Sequence, residues 1–179
     1  MTRWIAIAGI AAVALATEAY AASSALSPEA NAAFLAANAH KPGVQVMRDG
    51  VQYRILKTGF GSHPGDGDIV TIYYELKLIN GTHIEGTEPD FPAQLPVTNL
   101  IPGWKEAMRT MRVGDHWQLF VPASLGYGPA GTSDGRVPPN QTLVFDLELV
   151  KTFTPPEKPH KDDDDQNRTP STPPAATQR

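Results

Sequence analysis

The sequence predicts an α+β fold in which one short helix covers a face of a mainly antiparallel sheet of five to six strands. Three observations carry this. Apolar and polar residues alternate with period two over 51–57, 68–79, 116–121 and 141–152. Asn80-Gly81 separates the second run from a short return strand, as in a tight hairpin. Beyond Pro102, Trp104, Met108 and Met111 recur at i, i+4 and i+7, the spacing of one helix face.

The N-terminus reads as an export signal over residues 1–21. Met1-Thr2-Arg3 is a short basic start, Trp4 to Ala16 is apolar and uncharged, and Ala19-Tyr20-Ala21 offers small residues for cleavage after Ala21. That apolar run falls short of the roughly 20 residues a membrane span needs, so no stable membrane anchor is expected. Residues 22–43 follow as a short N-terminal helix and linker. Ser27 suits an N-cap, Pro28 the first turn, Glu29 the positive helix end, and Lys41-Pro42-Gly43 a stop. The stripe is mostly Ala, with Phe34 and Leu35 its bulky members, so the helix is expected to pack lightly or fray.

Val51 to Lys57 reads as the first strand of the main domain, which extends over 44–153. After the Gly/Pro/Asp turns of 59–67, Asp68 to Ile79 is a long β-branched and aromatic strand. Asn80-Gly81 predicts a type I′ turn, with positive φ at both residues, and Thr82 to Gly86 the return strand. Pro89, Pro92 and Pro96 confine the next segment to loop or sheet edge, with Gln94 to Val97 its paired part. The helix from Pro102 ends at Val113-Gly114-Asp115. His116 to Val121 and Gln141 to Thr152 complete the sheet on either side of a long Gly/Pro loop, and Trp117 is read as packing. Residues 154–179 are rich in Pro, Ser, Thr and charge and predict a disordered tail, the run Asp162 to Asp165 being a solvated cluster.

Composition narrows the chemistry. The chain has 179 residues and a net charge of −4, which argues against nucleic acid as the main partner. It has no Cys, so disulfides, Cys-based metal sites and lipidation at a Cys are excluded. His40, His63, His83, His116 and His160 are scattered and form no ligand pair, so neither a metal nor a cofactor is expected. The informative stretch is Leu100 to Val150, where a Trp-bearing helix, a Tyr in a Gly-rich loop, a Pro-Pro turn and a Phe-bearing strand follow one another. These residues build an apolar, aromatic pocket that suits binding or twisting a proline-containing peptide better than hydrolysis or group transfer.

Residues 44–152 resemble the FKBP-type peptidyl-prolyl cis-trans isomerases of exported bacterial type. GVQYRIL, VTIYYELKLINGT, the IPGW of Ile101 to Trp104, MRVGD, LGYG and VPPNQTLVFDLEL occur in the family's order and at its spacing. The resemblance implies a curved antiparallel sheet wrapped around the short helix, with the ligand cleft between them. It implies that Trp104 is the floor under the proline ring, with Leu100 and Ile101 beside it. Tyr74, Glu85 and Tyr127 complete the catalytic set, Tyr127 giving its hydroxyl to a substrate carbonyl, and Ile84, Leu95, Val137 and Phe145 form the substrate-binding wall.

Two departures stand out against that pattern. Ile84-Glu85 occupies the place where the family usually has Phe-Asp, which loses an aromatic ring and lengthens a carboxylate stem by one methylene. The loop Thr132 to Arg136 is one residue longer than usual and brings charge beside the cleft. The resulting expectation is a monomeric periplasmic isomerase acting on proline-containing unfolded or folding polypeptides, without cofactor, with the family's macrolide inhibitors as candidate ligands. The alternative is a non-catalytic periplasmic peptide-binding chaperone on the same fold, its rate enhancement lost with Ile84 and Glu85.

Overall fold

The computed structural model describes residues 25–156. The expected signal peptide at 1–21 and the tail from 157 onward, the four-Asp run included, lie outside the described residues. In chain order the elements are α1 (Pro28–Asn38), β1 (Val44–Val46), β2 (Gln52–Lys57), β3 (Ile69–Leu78), β4 (His83–Gly86), β5 (Ala93–Pro96), α2 (Pro102–Thr110), β6 (His116–Val121) and β7 (Leu143–Phe153). Single 3-10 turns cover Val97–Asn99 and Ala123–Leu125.

Seven antiparallel strands form one sheet in the order β1-β2-β6-β7-β3-β4. The edge of β3 away from β7 is shared: β5 pairs with its first half and β4 with its second. The strand beyond the expected six is β1, whose three residues are too few to show a period.

Alternation places the core. Val70, Ile72, Leu76 and Leu78 of β3 are buried, as are Leu143, Phe145, Leu147 and Leu149 of β7 and Trp117, Leu119 and Val121 of β6. All lie on the face that α2 covers with Trp104, Ala107, Met108 and Met111. Trp117 is packing, as expected, and stacks on Tyr53 with ring centroids 4.5 Å apart. Helix α1 departs from expectation. It carries Phe34 to within 5.9 Å of Phe120, centroid to centroid, and is tied down by polar bonds. Asn31 accepts from the Thr142 backbone N–H (2.7 Å) and donates to Gln141 Oε1 (3.2 Å), and Asn38 donates to Gln52 Oε1 (2.9 Å). An Ala-rich stripe has little to bury, so two buried asparagines supply the docking.

The hairpin after β3 is also different. Gly81 takes a positive φ of 86° but Asn80 does not, so the turn is not type I′. Gly81 N–H donates to Leu78 O (2.9 Å) and Leu78 N–H to Thr82 O (2.9 Å), a three-residue loop closed by a left-handed glycine. Asn80 favours this geometry because its Oδ1 accepts from Thr82 N–H (3.0 Å).

Candidate active site

Trp104 lies in the first turn of α2, where Pro102 sets the helix start, and it is 5% exposed. Gly103 makes its depth possible, because a Cβ there would collide with Val121 Cγ1 of β6. Two rings meet the indole edge to face. Phe145 of β7 has its centroid 4.9 Å away at 71°, and Tyr74 of β3 has its centroid 5.3 Å away at 82°. The indole N–H is buried without a hydrogen-bond partner.

Above this floor opens a cleft of about 140 Å³ lined by Tyr74, Glu85, Leu95, Asn99, Leu100, Ile101, Trp104, Tyr127 and Phe145. A dry cavity of about 150 Å³ accepts a benzene ring, so the cleft is of the size for a five-membered proline ring. Leu100 and Ile101 arrive at the N-terminus of α2, Leu95 from β5 opposite Val70, and Tyr127 just after the 3-10 turn at Ala123–Leu125. Gly126 permits that approach, since a Cβ there would lie 2.8 Å from Leu143 Cδ1.

The polar groups lie along one side. Tyr74 Oη donates to Glu85 Oε1 (3.2 Å), and Arg136 Nη2 is 3.1 Å from Glu85 Oε2. Burial first, then the Glu85 charge and hydrogen bond, push the Tyr74 phenol up to about 12. Burial and the Glu85 charge also raise the Tyr127 phenol. Both phenols therefore stay protonated, as hydrogen-bond donors, at neutral pH. Among the described residues no group of three or more His, Cys, Asp or Glu could hold a metal ion.

Of the ten residues expected at the site, eight line the cleft. Ile84 and Val137 do not. Ile84 is the extra residue of a bulge, between Glu85 (opposite Leu76) and His83 (opposite Lys77). It packs on the edge of the core, and its carbonyl accepts from Arg136 Nη1 (3.3 Å). Val137 is buried in the core because the loop closes on itself: Thr132 N–H donates to Val137 O (3.0 Å), and Val137 N–H to Thr132 Oγ1 (2.9 Å). Asn99 was not foreseen. It ends a 3-10 turn, and an exposed Asn in a Pro-flanked segment carries no periodic signal.

The family model of FKBP-type peptidyl-prolyl cis-trans isomerases matches residues 61–150, and that of the domain amino terminal to them matches residues 7–55. The second match begins inside the stretch read as a signal peptide. Among curated proteins, the chain is 45% identical over 119 residues to the "Outer membrane protein MIP" of Legionella longbeachae, covering 66% of this chain and 51% of that protein. It is 38% identical over 149 residues to the "Probable FKBP-type peptidyl-prolyl cis-trans isomerase FkpA" of Neisseria meningitidis, covering 83% and 54%. The chain thus spans about half the length of these curated relatives. Among solved structures, a peptidyl-prolyl cis-trans isomerase of Pseudomonas syringae superposes with a TM-score of 0.66 at 30% identity, covering 73% of this chain and 94% of that one. FkpA of Escherichia coli superposes with a TM-score of 0.62 at 30% identity, covering 85% and 75%.

Proposed function

The chain belongs to the FKBP-type peptidyl-prolyl cis-trans isomerase family, and on that footing we propose that it catalyses cis-trans isomerisation of X-Pro bonds in unfolded or folding exported proteins. The observation that carries this reading is the cleft itself: an apolar slot over Trp104, walled by Phe145, Tyr74 and Leu95, with protonated phenols at its rim.

An X-Pro bond turns over a barrier of roughly 18–20 kcal/mol because rotation breaks amide resonance. In the twisted state the amide is less dipolar than in either planar form. A dry aromatic slot therefore binds the twisted amide better than the planar one, which lowers the barrier. The ring is held on Trp104 while the carbonyl before it swings. Tyr74 already donates to Glu85, which leaves Tyr127 as the hydroxyl to fix a substrate carbonyl. Each tenfold of rate needs about 1.4 kcal/mol of such preference, within reach of one or two hydrogen bonds. No nucleophile or general base is required.

The basic start, apolar run and small-residue cleavage pattern of residues 1–21 support export to the periplasm and cleavage after Ala21. Among the described residues no helix is long and apolar enough to cross a membrane. On this reading its clients are proline-containing chains before they fold.

The test is refolding of a protein whose slow phase is limited by prolyl isomerisation, over tens of seconds at 25 °C. Catalytic amounts of the chain should shorten that phase in proportion to concentration and leave the fast phases alone. A binding chaperone without turnover would retard refolding or raise its yield at stoichiometric amounts, and that result would replace the isomerase reading.

A further inference from the structure

The two places where the sequence departs from the family pattern meet in space. Glu85, with its longer stem, sits on β4, and Arg136 sits in the longer loop across the rim of the cleft. We propose that Arg136 is a positioning residue for the isomerase reaction, holding Glu85 so that Glu85 in turn holds Tyr74 against Trp104. This rests on the isomerase reading above.

The guanidinium is held on three sides. Asp134 Oδ2 accepts from Arg136 Nε at 2.5 Å, the Ile84 carbonyl accepts from Nη1 at 3.3 Å, and Glu85 Oε2 lies 3.1 Å from Nη2. Asp134 is itself fixed, accepting from Thr132 Oγ1 (2.7 Å) and from the Arg136 backbone N–H (3.1 Å). The fork is therefore oriented from behind by its own loop and aimed at β4. Isolated exposed ion pairs do little. A planar fork shared by three acceptors loses less freedom per bond, and Lys, a single point charge, cannot reproduce it.

On its other oxygen Glu85 accepts the Tyr74 hydroxyl (3.2 Å), and the Tyr74 ring stands edge to face with Trp104 at 5.3 Å. Asp134, Arg136, Glu85, Tyr74 and Trp104 thus form one continuous chain of contacts from the loop to the pocket floor. The longer stem of Glu85 is what lets one carboxylate serve donors on both sides of the rim. On this proposal an Asp at that position, one methylene shorter, gives up one of the two bonds.

The consequence runs against simple restoration of the family pattern: Glu85→Asp lowers turnover here, because the partner of the longer side chain is still present. The experiment is a double-mutant cycle on the full chain with Arg136→Met, Glu85→Asp and both together. It is read as kcat/KM for isomerisation of a short X-Pro peptide by exchange NMR, and as the Tyr74 phenol resonance in ¹³C-tyrosine-labelled protein. Each single change is expected to lower kcat/KM roughly 3- to 10-fold. The pair should be no worse than the poorer single, a coupling of about threefold or more. The Tyr74 resonance should move in Arg136→Met and move no further in the double variant, and Arg136→Lys should recover part of the rate. Additive losses, an unmoved Tyr74 resonance, or a faster Glu85→Asp enzyme would overturn the proposal while leaving the isomerase reading intact. Absence of turnover in the unaltered chain would instead remove the reading, and the proposal with it.

Discussion

Trp104 stands edge-on to Phe145, ring centroids 4.9 Å apart and planes at 71°, so the indole joins the helix to the central strand of the sheet. The same contact is structural support and cleft floor. Residues with such a double role cannot be altered for function without a cost in stability, and the two effects have to be measured separately.

Trp104→Ala should abolish catalysis and destabilise the fold by about 3–5 kcal/mol, the usual cost of removing a large buried aromatic. Trp104→Phe keeps a ring at the floor and should retain the fold with reduced turnover. Urea denaturation alongside an isomerisation assay separates the two.

Gly103→Ala should act on the site through packing alone. A Cβ there collides with Val121 Cγ1, so α2 must move away from β6 and take Trp104 with it. Overpacking of this kind costs about 1–3 kcal/mol. The melting temperature should fall together with turnover, and the Trp fluorescence maximum should move as the indole gains water.

The rate of isomerisation should be flat between about pH 6 and 9, because both pocket phenols are raised above their ordinary values and remain protonated. Stability should behave differently in alkali. The folded state holds the Tyr74 proton up to about 12, whereas the unfolded chain releases it near 10. The stability this contributes is complete below pH 10 and is lost as pH rises toward 12. Denaturation midpoints should fall over that window, and less steeply in Tyr74→Phe.

Asn31→Ala should loosen the docking of α1, which Asn38 and Phe34 still hold at its other end. It leaves the buried Thr142 N–H without an acceptor and Gln141 Oε1 without its Asn31 donor, at a cost of about 1–3 kcal/mol. Hydrogen exchange should then speed up across Pro28–Asn38 and at Thr142, while the cleft keeps its turnover because α1 contributes none of its lining.

Much of this architecture was legible in the residues. Period-two runs found the strands, and Pro102, Trp104, Met108 and Met111 found the helix and the face it buries. What escaped reading lies where no period operates. Val137 follows an irregular loop whose closure turns it inward, and although charge beside the cleft was expected from this loop, the pairing of Arg136 with Glu85 was not. A bulge takes Ile84 off the cleft wall while Glu85 stays on it. The docking of α1 depends on two asparagine side chains that carry no periodic signal: Asn31, whose partners Gln141 and Thr142 lie more than a hundred residues away in sequence, and Asn38, which bonds Gln52. Asn80-Gly81 marked the right turn and the wrong type, since an Asx bond and one left-handed glycine suffice.

On the proposed function, the cleft over Trp104 turns prolyl bonds without acid–base chemistry, with Tyr127 holding the substrate. Its most direct test is the cis–trans exchange rate of a short X-Pro peptide by NMR, with and without the protein. Exchange should rise in proportion to protein concentration, fall several-fold in Tyr127→Phe and return to the uncatalysed rate in Trp104→Ala. Peptide resonances that shift on binding while exchange stays at the uncatalysed rate would contradict the claim and leave a binding cleft in its place.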